Sequence, residues 1–326
     1  MIAQLSSSYI RAAKMRSLRR VASYLLFEGR PATTRGQFIN PVVFAHLRFA
    51  AKHRMSPPDR PVFLLGVGRS GTTHLGRLLG VHPDVGFLNE PKAMWHVVDA
   101  SEDVSGFYNH GPSKFSYGPA DAESSSRQRA WNMYSYYSRF IRAPRVVDKY
   151  PELTYRGDYL RAIFPKSILI AIVREPAAVV RSIDSWSVSH RRDSEDWWGV
   201  EDSKWLQMRR EFIEDDPLLK DALDREAPRA LIEWIIGMRA LVDSPPSAQP
   251  DLIVRHEDLQ QHPEQAIKKI LDVCDLRYDA ATIHFAVEET SSQTPVPDMH
   301  FGTLTTEVDR LRSALGYPGR ATSGPR

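Results

Sequence analysis

PVFLLGVGRSGTT, Pro61 to Thr73, joins an apolar run directly to a cluster of glycines and hydroxyl residues. Val62 to Val67 has the length and composition of a short buried strand, Gly66, Gly68 and Gly71 demand a tight turn, and a helical pattern begins at Thr72. Strand, glycine turn and helix make a phosphate-loop layout: backbone N–H groups converge on an anion, and the helix adds its unsatisfied N-terminal donors and positive dipole end. Gly66 and Gly71 keep the spacing of the nucleotide-triphosphate loop G-x-x-x-x-G-K-[ST], but Thr72 stands at the lysine position. The nearest cation is Arg69, inside the turn. Hydroxyls and one guanidinium are therefore expected to grip the anion, with no evident call for a metal; a purely structural glycine turn is the alternative.

The same succession recurs along the chain. A helix over Thr72–Leu79, closed by Gly80, leads to a strand over Val85–Leu88 with Glu90 just beyond it. A helix over Trp131–Ile141 leads to a strand at Arg145–Val147, with Lys149 at its end, and a helix from about Glu152 to Ile163 leads to SILIAIV, Ser167–Val173. Arg174 follows that strand, and Pro176 is placed as the first residue of a helix over Ala177–Trp186. Repeated strand–loop–helix units predict an α/β protein: a P-loop-like three-layer fold with a central, mainly parallel sheet flanked by helices. Positions just past the carboxyl ends of such strands line the ligand crevice, so Arg69, Glu90, Lys149 and Arg174 are expected to face one another. Arg174, leaving a buried strand, needs a negative partner, either an anionic ligand or its neighbour Glu175. A magnesium-dependent phosphoryl-transfer enzyme would carry an acidic metal ligand at that strand end.

The 326 residues suit one main domain, and 43 basic against 40 acidic side chains, a net charge of +3, give no argument for nucleic acid. Cys274 is the single cysteine, so no intrachain disulfide is expected; helix packing is its expected role, and a reducing compartment fits. With no long apolar run and no secretory pattern, the expectation is a cytoplasmic protein. Residues 1–58 read as a helical extension packed on the core, 59–317 as the main domain and 318–326 as a flexible tail. Within the extension, residues 1–30 suggest an amphipathic helix docked through Leu18, Val21, Ala22 and Leu25, with Arg11, Lys14, Arg16, Arg19 and Arg20 largely elsewhere; a weak contact with an anionic membrane surface is the second reading. Asn40 and Pro41 open a second helix to about Lys52. Residues 101–126 are expected to be a surface loop or lid, and residues 187–245 to be helical and rich in tryptophan. A strand at Leu252–Val254 and helices over Pro263–Val273, Ala280–Val287 and Thr305–Leu315 complete the pattern. His256, Glu257 and Asp258 read as a structural turn, His190 as a substitute base, and Trp186, Trp197 and Trp198 as core residues or stacking platforms.

The run GRSGTTHLGRLLGVHPDVGFLNEP resembles the 5′-phosphosulfate motif of sulfotransferases that use 3′-phosphoadenosine-5′-phosphosulfate (PAPS), especially their carbohydrate and tyrosyl-protein branches. VVDKYPELTYRGDYLRAIFPKSILIAIVREPAAVVRSIDSW resembles that family's lysine-proline segment and 3′-phosphate motif, with Arg174 and Ser182 at the required spacing. The resemblance thins in the last third, where RHEDL at Arg255–Leu259 is similar to a short family segment. It implies that Arg69, Ser70, Gly71, Thr72 and Thr73 hold the phosphosulfate and that Arg174 and Ser182 hold the 3′-phosphate. It implies further that Glu90 is the general base, while Lys149 and Arg69 neutralise charge on the transferring group. PAPS would be the donor, no metal would be required, and the acceptor would be a hydroxyl on a glycan, lipid or small metabolite. A nucleotide-dependent kinase and a non-catalytic nucleotide-binding protein are the competing readings, and homodimerisation is left open.

Overall fold

Five short strands form one all-parallel sheet in the order β2-β3-β1-β4-β5: β1 (Val62–Leu65), β2 (Val85–Asn89), β3 (Arg145–Lys149), β4 (Ile168–Val173) and β5 (Leu252–Arg255). The computed structural model describes residues 17–28, 40–108, 113–190, 195–290 and 299–319. Every residue of β1 to β4 is buried, while β5, at an edge, alternates. Parallel strands covered on both faces need apolar side chains on both, and period-two alternation sends them to different cores. Phe63, Leu65, Leu169, Ala171 and Val173 join the larger apolar cluster. Val62, Leu64, Ile168, Ile170 and Ile172 join the smaller one on the other face. This is the expected helix–sheet–helix layering.

The helices are α1 (Ser17–Leu26), α2 (Asn40–Lys52), α3 (Thr72–Val81), α4 (Lys92–Val98), α5 (Ser124–Ile141), α6 (Gly157–Ile163), α7 (Pro176–His190), α8 (Glu195–Trp198), α9 (Ser203–Met208), α10 (Pro217–Asp224), α11 (Arg229–Val242), α12 (His256–Gln261), α13 (Pro263–Val273), α14 (Ala280–Glu289) and α15 (Thr305–Ala314). α3, α13 and α14 cover the smaller core, where Cys274 is fully buried. The larger core takes residues from α2, α4, α5, α6, α7, α11 and α15. Among the described residues no helix is long and apolar enough to cross a membrane.

Register aligns the carboxyl ends of the central strands. Lys149 pairs with Asn89 of β2 and Leu64 of β1, and Leu65 with Ala171 of β4. The segments that leave β1, β2, β3 and β4 thus emerge at one edge.

Three expectations change. α5 begins at Ser124, inside the stretch read as loop, and the described parts of that stretch are hydrogen-bonded to carboxylates. The Asp103 carboxylate accepts the N–H groups of Phe107 and Tyr108 (3.0 and 2.7 Å), and Glu211 accepts those of Phe115 and Ser116 (both 2.9 Å). The helix expected over 152–163 is broken into a 3-10 turn, Pro151–Tyr155, and α6. Between them Arg156 turns fully into the core, where Glu102 pairs with it at 3.0 Å and Phe115 O accepts its Nε–H at 2.9 Å.

The third correction is at α1, where Val21 and Ala22 of the expected docking face are half-buried but its two leucines are not. Leu18 is 85% exposed and Leu25 41%, whereas Arg20 and Ser23 are buried. A buried guanidinium is tolerable only with partners, and Arg20 has them: it donates to Tyr137 Oη at 3.0 Å, meets Glu28 at 3.4 Å and lies over the Phe87 ring. Phe27, at the end of α1, supplies the apolar anchor, buried among His46, Tyr136, Tyr137 and Phe140.

Candidate functional site

Between β1 and α3 the backbone makes the turn that the glycines require. Gly71 has φ +102°, and a Cβ there would lie 2.6 Å from His256 Nδ1, so both conformation and space exclude a larger residue. Gly66 N–H is held by Thr154 Oγ1 at 2.7 Å, and Ser70 N–H by Val67 O at 3.2 Å. Arg69 has φ +69°, a left-handed conformation that costs an ordinary L-residue about 1–2 kcal/mol. Thr72 and Thr73 open α3, Thr72 buried and Thr73 half-buried. Ser70 is fully buried, yet its hydroxyl has no hydrogen-bond partner among the described residues. A buried unpaired hydroxyl is costly, and in a loop built to collect donors it marks a place for a ligand oxygen.

The 3′-phosphate candidates converge on the same loop. Arg69 Nε–H donates to Ser182 Oγ at 3.0 Å, across 113 positions of sequence, and Arg174 Nη1 donates to Arg69 O at 3.2 Å. Glu175 is not the partner of Arg174: it is engaged by Arg312 through two bonds of 2.9 and 2.7 Å, and its N–H donates to Glu257 at 3.1 Å. Among the described residues neither Arg69 nor Arg174 forms an ion pair. Burial draws both guanidinium groups below their ordinary value; Glu90 opposes this for Arg69, and Glu257 opposes it for Arg174, where Arg69 and Arg181 add repulsion. Guanidinium stays charged in proteins. Two cations repelling one another at a helix N-terminus make a site for a multiply charged anion.

Glu90 and Lys149 meet across the β2–β3 edge, with Lys149 Nζ donating to Glu90 Oε1. Lys149 is wholly buried, and Glu90 keeps 20% exposure. Glu90 sits at φ +55°, held there by its own N–H to Lys149 O (2.6 Å) and by Lys92 N–H to its carbonyl (2.8 Å). Strained positions that the surroundings over-determine concentrate at functional sites, and here the strain aims a carboxylate into the crevice that contains Arg69. Beneath this pair lies Asp148. Tyr134 Oη and Trp95 Nε1 (3.0 Å) both donate to its Oδ2, while Oδ1 has no partner among the described residues. Burial pushes this carboxyl up to about 7, against the hydrogen bonds from Tyr134 and Trp95 and the attraction of Lys149.

Two of the tryptophans offered as stacking platforms, Trp186 and Trp197, roof the loop, over a buried ionic group of Lys204, Glu233 and Glu152 that the sequence reading did not single out. The Trp197 ring passes 2.7 Å from where a Cβ on Gly68 would be, so that glycine is needed for close approach. Trp197 Nε1–H donates to Glu233 at 3.2 Å, and Trp186 packs edge-on to Trp197 at 5.5 Å. Lys204 is buried with Nζ 2.6 Å from Glu233 and 4.0 Å from Glu152, below the Trp197 ring. Burial alone would lower its ammonium, but Glu233, Glu152 and more weakly Glu90 hold it above the ordinary value. Lys204 and Glu233 lie on helices whose burial no local pattern reveals. Trp198 proves to be core, packed on Trp205, while Trp197 lies on the loop. His256 is the neighbour of Gly71; burial, then Arg174 and His74, lower its imidazole to about 4. The His190 side chain falls outside the described residues. A cavity of about 470 Å³ lined by Arg60, Arg161, Lys166 and Asp251 lies at the opposite, amino-terminal end of β4, remote from all of these groups.

The sequence model of the sulfotransferase family matches residues 61–280. Over 249 residues the chain is 30% identical to nodulation protein NoeE of Sinorhizobium fredii, covering 72% of this chain and 54% of that protein. Over 225 residues it is 22% identical to protein-tyrosine sulfotransferase A of Caenorhabditis elegans, covering 68% and 52% respectively. The chain thus spans about half the length of these curated relatives. Among solved structures, the sulfotransferase domain from the curacin biosynthetic pathway is similar at 17% identity and a TM-score of 0.44, over 81% of this chain and all of that one. A sulfotransferase from Alicyclobacillus acidocaldarius gives 16% and 0.42, over 81% and 98%.

Proposed function

The chain belongs to the sulfotransferase family, and on that premise we propose that it transfers a sulfuryl group from PAPS to an acceptor hydroxyl by in-line displacement, with Glu90 as the general base. The observation that carries this reading is the linkage of the two anion-binding segments: Arg69 of the loop bonds to Ser182, and Arg174 bonds to the Arg69 carbonyl. One nucleotide bearing a 5′-phosphosulfate and a 3′-phosphate would satisfy both segments at once. The residues fit such a donor. Ser70 offers an unpartnered buried hydroxyl, Gly71 lets the backbone turn inward, and two guanidinium groups lack carboxylate partners among the described residues.

The N–H groups of the loop, with Ser70, Thr72, Thr73 and Arg69, would hold the 5′ end, and Arg174 with Ser182 the 3′-phosphate. The bound donor supplies the sulfuryl group, whose bond to the 5′-phosphate oxygen breaks as the acceptor oxygen bonds to sulfur. Glu90 takes the hydroxyl proton as that bond forms. Lys149 Nζ and the Arg69 guanidinium face the region where negative charge grows, and donors already held in place stabilise it without reorganising. Thr72 replaces the loop lysine of a kinase, and Arg174 rather than a carboxylate follows β4, so the charges suit an anion better than a magnesium–nucleotide. No metal is assigned. The acceptor hydroxyl belongs to a glycan, lipid or small metabolite.

Sulfur-labelled PAPS and an extract of host metabolites, incubated with the protein and a metal chelator, should give a labelled product other than sulfate. Transfer that requires added magnesium, or label remaining wholly in PAPS while adenosine 3′,5′-bisphosphate binds, would overturn this reading; the second result would leave a nucleotide-binding protein.

A further inference from the structure

We propose that the outward sides of α1 and α2 form a docking surface for an anionic lipid membrane. The starting observation is that α1 hides a charge and displays its hydrophobes. Leu18 and Leu25, seven residues apart on one helical face, are exposed, while Arg20 points inward. α2 does likewise: its inner face buries Val43, Leu47, Ala50 and Ala51, and its outer face presents Val42, Ala45 and Phe49, with Val42 64% and Phe49 54% exposed. Four of the eight large exposed apolar side chains among the described residues lie on these two neighbouring helices. Isolated exposed leucines need no explanation, but a cluster at helical spacing does.

Charge identifies the occupant. Residues 1–58 contain ten basic side chains and one acidic one, Glu28, whereas the whole chain has 43 and 40. Glu28 and Arg20 are buried against each other and cancel, which leaves nine basic side chains and no acidic one in the rest of the segment. Arg48, Lys52 and Arg54 are exposed on or just after α2, and Arg19 is half-exposed on α1; none forms an ion pair with a described residue. Apolar side chains interleaved with long cations on the same helices match the boundary between lipid headgroups and acyl chains. A second copy is a poorer fit. A two-fold interface sets the same patch against itself, and here that would oppose two basic surfaces. Residues of the phosphate loop play no part, so docking leaves the proposed reaction chemistry unchanged.

The test uses the full chain and vesicles of either phosphatidylcholine alone or phosphatidylcholine mixed with phosphatidylglycerol, read by co-sedimentation. The expected result is binding to the mixed vesicles only, weakening as salt rises, because surface cations are screened over about 10 Å at moderate ionic strength. Leu18→Glu with Phe49→Glu should weaken that binding by at least about tenfold through loss of inserted apolar area. Arg48→Glu with Lys52→Glu should weaken it similarly and flatten its salt dependence. Both variants should keep the parent's circular dichroism spectrum and thermal midpoint, which shows that they remain folded and keeps this test separate from the assignment of the reaction. Equal sedimentation of parent and Leu18→Glu/Phe49→Glu, or no binding to mixed vesicles, would overturn the proposal. A lipid-free dimer that those substitutions convert to monomer would assign the face to a second copy instead.

Discussion

Replacing Arg174 by alanine isolates the 3′-phosphate assignment from the rest of the site. Among the described residues the guanidinium makes one hydrogen bond, to Arg69 O at 3.2 Å, and its remaining N–H groups have no carboxylate partner there. The backbone role of the residue, Arg174 O accepting from Trp234 Nε1 at 2.9 Å, survives the substitution, so the helix packing behind it should hold. What is lost is a charge-assisted contact to phosphate, about 1.5–3 kcal/mol, which corresponds to a loss of affinity of roughly 10–150-fold. Phosphate also relieves the repulsion of Arg174 by Arg69 and Arg181 in the free protein, a gain the variant forgoes, so the upper half of that range is expected. Calorimetric titration with adenosine 3′,5′-bisphosphate in the presence of a chelator measures it directly. Binding by the parent should weaken as salt rises, and the variant should show a shallower dependence. An affinity within about twofold of the parent would refute the assignment.

Two further outcomes follow from the surroundings of the site. Asp148 is protonated in the folded protein up to about pH 7, whereas in the unfolded chain it ionises near 3.8, so its contribution to stability declines as pH rises between those values, by up to about 4 kcal/mol. Asp148→Asn can still accept from Tyr134 and Trp95, and denaturant titrations should show the variant gaining on the parent from about pH 4 to about pH 7; a difference independent of pH would contradict the protonated state. Gly71→Ala must adopt φ +102° with its methyl against His256, and it should abolish nucleotide binding while lowering the thermal midpoint by several degrees; normal affinity would mean that the loop is not the anion site.

The sheet was readable because its causes are local. β4 is a continuous apolar run, and the glycines of the loop and Pro176 punctuate the chain where strands turn into helices. The positions of Glu90, Lys149 and Arg174 at strand ends followed from the same punctuation. What escaped the sequence depends on partners distant along the chain. Arg20 looks like an exposed residue of a basic helix until Glu28 and Tyr137 are placed beside it, and with Arg20 inward Leu18 and Leu25 face outward. Glu175 stands next to Arg174 in sequence, yet Arg312, 137 positions from Glu175, claims it. Lys204 and Glu233 carry no local sign of burial, because each is made tolerable by the other. Trp197 and Trp198 are adjacent and identical in type, and only tertiary packing sends one to the loop and the other to the core.

The central claim is that Glu90 accepts a proton from a hydroxyl while the loop and its arginines hold the donor. Glu90→Gln keeps the size of the side chain and a hydrogen-bonding oxygen for Lys149 while removing the proton acceptor. Single-turnover transfer from sulfur-labelled PAPS, measured on a genuine acceptor with donor saturating, should fall by about 10²–10⁴-fold while donor affinity changes little. Arg69→Ala, run alongside, should lose both, since that guanidinium meets the donor before and during the reaction. Near-normal turnover by Glu90→Gln would contradict the account and remove Glu90 from the mechanism.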